Sequence, residues 1–145
     1  MNNFITNLLL IKDKNIIIED KLDLINVNGQ DTFVFHGALS YEPKCCTNCG
    51  CMKEGNNIVK NGFGDPLKVA LLKMSEYPTY LKLKKQRFKC RVCNSKFCAE
   101  TSFVQKHCSI SKNLIFHIMK NLSKTLSFKD IAELSNVSVS TVVRV

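Results

Sequence analysis

Four of the chain's eight cysteines fall within "CCTNCGC", residues 45–51, and two more within "CRVC", residues 90–93. Thiols spaced this way can pair as disulfides, exchange electrons or hold a metal ion as thiolates. Cys46/Cys49 and Cys90/Cys93 are each C-x-x-C. In that spacing one tight turn aims both sulfurs at a single ion while backbone N–H groups point at the thiolates. Such turns want a residue tolerant of positive φ just after the second cysteine. Gly50 and Asn94 stand there, which selects Cys46/Cys49 over Cys45/Cys49 or Cys49/Cys51. Two matched pairs forty residues apart predict one zinc site held by Cys46, Cys49, Cys90 and Cys93. That separation exceeds the usual spacing of about 15–20 residues. Four thiolates leave no open position for water, so the zinc is expected to be structural, and no catalytic residue is assigned.

The remaining thiols read differently. Cys45 and Cys51 flank the first pair as packing or bystander thiols, and Cys98, His107 and Cys108 lack a fourth ligand for a second site. His36 and His117 read as surface residues on a strand and a helix. A thioredoxin-like redox pair would need a βαβ context, which the sequence does not offer. Disulfides require an oxidising compartment. The apolar run Phe4–Ile11 has no basic flank or small-residue cleavage site and falls short of the ~20 residues that span a bilayer. The expectation is a cytoplasmic protein without membrane contact.

Charge points to the partner. Residues 1–44 carry four basic and six acidic side chains, whereas residues 45–145 carry 17 and six. Between residues 66 and 96 nine Lys/Arg face a single acid, Glu76. The densest stretch holds Lys82, Lys84, Lys85, Arg87, Lys89 and Arg91, a set suited to phosphates. A solvated lysine surface is the bland alternative.

Around these residues the pattern predicts a short helix in "NNFITNLLLI" and strands in "NIIIEDKLDLINV" and "DTFVFHGALSYEP", with Gly37 as a bulge. Asn61-Gly62 signals a turn, placing Ile58–Lys60 and the segment from Leu67 in hairpins. "YLKLKKQRFKC" is the clearest strand, with Leu81 and Leu83 on one face and Tyr80, Lys82, Lys84 and Phe88 on the other. From Ser109 the apolar period becomes helical, with Ser109 or Ser111 as N-cap.

"FKDIAELSNVSVSTVVRV" then fits a helix-turn-helix. Phe128–Leu134 forms the first helix, capped by Ser127, with Ile131 and Ala132 inward. Asn136 takes the left-handed turn position, Val137 plugs the core and Ser138 caps a second helix. There Val142 and Val145 face inward. Ser138, Val139, Ser140, Thr141 and Arg144 are the candidate DNA-reading residues, short enough to approach a major groove, with Arg144 for guanine or phosphate.

Taken in order, "CTNCG", "VKNGF", "LKLKKQRFKCRVCNSKF", "HCSIS" and "DIAELSNVSVSTVVRV" resemble the N-terminal part of bacterial insertion-sequence transposases of the ISL-three group. The resemblance covers nearly the whole chain. It implies a zinc ribbon and helix-turn-helix that recognise the terminal inverted repeats of a mobile element. In that family an RNase-H-like domain with an Asp/Asp/Glu triad follows and performs strand transfer. The sequence ends at Val145, inside the second helix, and Asp130 and Glu133 lie on a helix. It therefore reads as the truncated, non-catalytic part of a transposase, with weak, salt-sensitive binding to double-stranded DNA. Two other classes stay open: a small zinc-ribbon DNA-binding regulator, or a protein-interaction module. No small-molecule substrate is expected.

The expected fold class is α+β. Residues 1–44 form a lead-in of short helix and strands that packs on the ribbon or mediates self-association. Residues 45–108 form the zinc ribbon, and residues 109–145 a three-helix unit ending within its helix-turn-helix.

Overall fold

The computed structural model describes residues 3–145. Asn2, within the predicted N-terminal helix, lies outside them. The chain folds as mixed α+β around a six-stranded sheet. Its elements run α1 (Asn3–Leu8), β1 (Ile16–Val27), β2 (Gln30–Leu39), β3 (Ile58–Phe63), β4 (Leu67–Ala70), β5 (Thr79–Cys90), β6 (Lys96–Cys98), α2 (Lys112–Leu122), α3 (Phe128–Ser135) and α4 (Val139–Arg144).

β5 is the spine. Its first half pairs in parallel with β2 (Phe33–Thr79 to Leu39–Lys85) and antiparallel with β4 (Leu67–Leu83 to Ala70–Tyr80). Its second half pairs antiparallel with β3 and β6, and Ile58 lies opposite Cys90. β1 covers the outer edge of β2 through the Asn28-Gly29 hairpin, where both residues have positive φ. Gly37 stays in the ladder; the bulge lies opposite, between Ile18 and Leu22 of β1. A Cβ on Gly37 would meet Ile18 Cδ1 at 2.9 Å and the Ile17 carbonyl oxygen at 3.1 Å. Glycine is what lets the bulged strand approach.

Asn61-Gly62 does not close a hairpin. β3 runs straight through it, and a bulge between Lys60 and Phe63 absorbs the positive φ of Gly62. β3 and β4 each pair with β5 and not with one another. The face assignment for β5 is corrected too. Thr79, Leu81 and Leu83 point inward, but so do Gln86, Phe88 and Cys90. The inward parity switches at Lys84–Lys85, where β5 exchanges β4 for β3 as its neighbour. Phe88 is 0% exposed and shares a core with Leu81 and Leu83, its ring against Tyr41 and Phe97 at 5.7 and 5.3 Å. Burial of such a ring is worth about 1.5–3 kcal/mol.

A second, smaller apolar cluster joins α2, α3 and α4 to the sheet. Leu114, Ile118, Ile131, Ala132 and Val142 pack with Ala70, and Tyr80 lies against them. Local polar contacts set the helix ends. Ser111, Ser127 and Ser138 each accept the N–H three residues on, and Ser127 and Asp130 form a reciprocal capping box. Asn136 sits at φ 54°, ψ 47°, closing α3. Val145, expected inward, is 38% exposed; Val142 alone fills that side of the cluster. Met119 and Leu122, also at helical spacing, are exposed, so only Leu114, Ile118 and the polar Asn121 of α2 are buried.

Candidate metal centre and basic surface

The first cysteine turn is a small hairpin. The Lys53 N–H donates to the Lys44 carbonyl (2.9 Å), the Cys46 N–H to the Cys51 carbonyl (2.9 Å) and the Gly50 N–H to the Cys46 carbonyl (3.0 Å). Gly50 has φ +73°. The second turn closes with the Cys90 N–H on the Ser95 carbonyl (2.9 Å), and Asn94 has φ 62°. Both residues singled out for positive φ adopt it.

These turns bring together the sulfurs of Cys46, Cys49, Cys90 and Cys93, all within 4.8 Å of one another. Cys46 and Cys93 are 3.6 Å apart across the turns, and Cys49 and Cys90 are 3.8 Å apart. A tetrahedral ion with Zn–S of about 2.3 Å sets the sulfur–sulfur edge at about 3.8 Å. The set fits zinc. Cys46 and Cys90 are buried, Cys93 is half-buried and Cys49 is exposed, so the ion would enter from the Cys49 side.

The electrostatics match that reading. Cys93 is drawn down to about 5, first by the Ser95 hydroxyl (2.9 Å), then by the Ser95 N–H and the Asn48 side chain. Cys46 is lowered mainly by the same hydroxyl (3.4 Å), with the N–H groups of Cys49 and Asn48 adding to it. Cys49 and Cys90 receive N–H groups from Cys51 and Cys93 respectively, yet neighbouring thiols and burial push both upward. Four sulfurs this close cannot all ionise unaided. A central dication removes that obstacle and holds all four as thiolates.

Among the described residues this is the one group of three or more Cys, His, Asp or Glu side chains at metal-ligating distance. Cys98, His107 and Cys108 do not form another. His36 bonds Asp23 at 2.7 Å and His117 bonds Asn121 at 3.0 Å. Cys45 and Cys98 are exposed thiols. Cys51, by contrast, is no mere neighbour in sequence: its sulfur lies 3.5 Å from that of Cys90.

Residues 42–93 match the family model described as the zinc-finger of transposase IS204/IS1001/IS1096/IS1165. The matched stretch holds all four sulfurs of the cluster. This transposase zinc ribbon, about a third of the chain, carries one structural zinc site. No curated protein and no solved structure matches the chain. Among the described residues no helix is long and apolar enough to cross a membrane.

The basic residues lie along the same spine. Lys84, Arg87 and Arg91 are exposed, and Lys82, Lys85 and Lys89 half-buried. None of the six pairs with a carboxylate among the described residues. Lys82 lies opposite Lys68, and Lys89 opposite Lys96. Like charges directly across a ladder are destabilising. Gly64 leaves room for the Arg87 guanidinium, whose Nε lies 3.2 Å from where a Cβ would stand.

The sheet also fixes the helices. The Asn136 amide donates to the Tyr80 hydroxyl (2.9 Å), and Lys73 Nζ donates to the Glu133 carbonyl (2.6 Å). Lys68 Nζ sits 4.2 Å from the centre of the Tyr80 ring. On α4, Val139, Ser140 and Arg144 are exposed and Thr141 half-buried, with Thr141 and Arg144 lining a cleft beside Gln105, His107 and Cys108. The Ser138 hydroxyl is engaged with Thr141 and Ser140 at the helix start. Lys73 and Lys129, outside the predicted contact set, line a cleft with Asn136, Ser138 and Val139; Lys73 was counted only within the basic stretch of residues 66–96.

Proposed function

We propose that this chain is the DNA-binding portion of an insertion-sequence transposase and recognises the terminal inverted repeats of its element, with no strand-transfer activity of its own. The observation that carries this reading is the transposase zinc-finger match over residues that bring four sulfurs within 4.8 Å of one another. In this reading α3 and α4 act as a helix-turn-helix, and Ser138, Val139, Ser140, Thr141 and Arg144 face base edges and backbone. Lys82, Lys84, Lys85, Arg87, Lys89 and Arg91 contact phosphates, which position the protein without reading sequence. The unpaired cation rows on β5 support it, since they oppose folding and find their compensation in a polyanion. The zinc ribbon holds the strand that carries them. The partner is double-stranded DNA in the cytoplasm.

The test is fluorescence anisotropy of the chain on inverted-repeat and scrambled duplexes over a range of salt. Affinity should favour the repeat and fall with log salt at a slope of about −0.9 per contacted phosphate. A repeat affinity insensitive to salt contradicts the reading. Lys84→Glu/Lys85→Glu/Arg87→Glu should abolish binding while zinc is retained.

One observation favours the alternative of a protein-interaction module or regulator that self-associates. Leu22, Leu24 and Val27 are exposed on β1, the outermost strand of the sheet. The charge-reversal variant separates the two readings, because self-association would survive it.

A further inference from the structure

The sulfur geometry points to a fifth participant in the metal centre: we propose that Cys51 is a reserve zinc ligand, able to take the corner held by Cys49. The proposal rests on the structural zinc reading. Cys51 Sγ lies 3.5 Å from Cys90 Sγ, slightly closer than the 3.8 Å between Cys49 and Cys90. Both distances are near the edge of about 3.8 Å that a tetrahedral zinc–thiolate site requires. Cys51 therefore already stands beside one ligand at ligand spacing.

The backbone is arranged for the exchange. The Cys46 N–H holds the Cys51 carbonyl at 2.9 Å, so Cys51 is fixed relative to a buried ligand. Cys46 and Cys51 are related as C-x4-C, within the range of about two to four intervening residues common between zinc ligands. Gly50 alone separates the two thiols in sequence, and nothing lies within 4 Å of its Cβ position. The Gly50 N–H bond to the Cys46 carbonyl (3.0 Å) is the backbone contact that a turn of this peptide gives up. The Asn57 amide bonds the Met52 carbonyl at 2.7 Å and reaches Cys51 Sγ at 3.9 Å, steadying that side of the turn.

Exposure gives the exchange its use. Cys49 is the exposed ligand, the one an electrophile in solvent meets first, while Cys51 is half-buried. An alkylating electrophile would turn the Cys49 thiolate into a thioether and expel its leaving group as an anion; Cys51, giving its thiol proton to solvent, would then supply the fourth thiolate. The set would return from three thiolates to four. The ribbon then retains its metal after damage at its most accessible corner.

The full chain loaded with Co2+ tests this, since thiolate-to-cobalt charge-transfer absorption scales with the number of bound thiolates. Cys49→Ser should bind one Co2+ with the wild-type intensity, and so should Cys51→Ser. The double variant should lose about a quarter of the intensity, one thiolate of four. Equal loss in Cys49→Ser and in the double variant overturns the proposal. Absence of a tetrahedral thiolate spectrum in the wild type overturns the zinc reading itself. A second measurement avoids dependence on the folding of Cys49→Ser. After brief iodoacetamide treatment of the zinc-loaded chain, native mass spectrometry should find zinc on the species alkylated at Cys49. In Cys51→Ser the same species should have lost it; zinc loss in both backgrounds overturns the proposal.

Discussion

The two ends of β5 are held by different means. At its C-terminal end, Phe88 and Cys90 turn into the main core and the strand runs directly into the second cysteine turn. At its N-terminal end, Tyr80 lies under the α2–α4 cluster, and Ala70 on the neighbouring strand is sandwiched there by backbone bonds to Ser109 and Ser111. The first end depends on an ion that gathers four sulfurs from distant turns. The second depends on a handful of small apolar side chains and on three serine caps. One strand thus has a switchable anchor and a permanent one, and perturbations should separate them.

The largest effect should come from Cys90→Ala. Cys90 is the ligand at the buried end of β5, and the sulfurs of both Cys49 and Cys51 lie against its own. Structural zinc contributes on the order of 10 kcal/mol to folding of small zinc modules, about as much as a whole domain's net stability. Metal should be lost, and amide exchange should accelerate first around residues 44–63 and 86–98, with α2–α4 protected longer. Equal loss of protection at both ends would dissolve the distinction between them.

Next in size is Ile131→Ala in the other anchor. Ile131 is fully buried in the small cluster, and truncating such a side chain costs about 2–5 kcal/mol. Thermal or urea unfolding should show that loss while zinc content stays at one per chain. Ser127→Ala removes the capping box that starts α3 and should cost about 1 kcal/mol by the same measurement. Ser135→Ala should act in the opposite direction. The Ser135 hydroxyl is buried without a hydrogen-bond partner, and replacing it should leave stability unchanged or raise it by about 1 kcal/mol.

Acid sharpens the comparison further. Cys93 is depressed from the ordinary 9.0 to about 5, so its thiolate favours the folded ribbon fully above pH 9. That contribution shrinks as pH falls and is gone below about 5, and protons compete with zinc for all four sulfurs over the same direction. Zinc release, followed with a colorimetric chelator, should therefore rise on acidification. The α2–α4 cluster contains no titrating group in its core and should hold its helical signal longer.

What the sequence disclosed, and what it hid, divides along local and distant causes. Gly50, Asn94 and Asn136 were legible because positive φ is demanded by the turn in which each residue sits. The serine caps were legible for the same reason. Phe88 was misplaced because its direction depends on where β5 exchanges β4 for β3, a matter of which distant strand lies alongside. Asn61-Gly62 carries the composition of a turn, yet β5 holds β3 extended on both sides and a bulge takes up the strain. The parallel pairing of β2 with β5 has no local signature at all. Cys51 was set aside on the strength of the C-x-x-C spacing; only the fold places its sulfur beside Cys90.

The most direct measurement is metal content after native purification, paired with a cysteine-alkylation map with and without chelator. One zinc per chain, with Cys46, Cys49, Cys90 and Cys93 shielded relative to Cys45 and Cys98 until the chelator is added, is the predicted result. A chain that purifies without metal, or shielding centred on Cys98 and Cys108, would contradict the account.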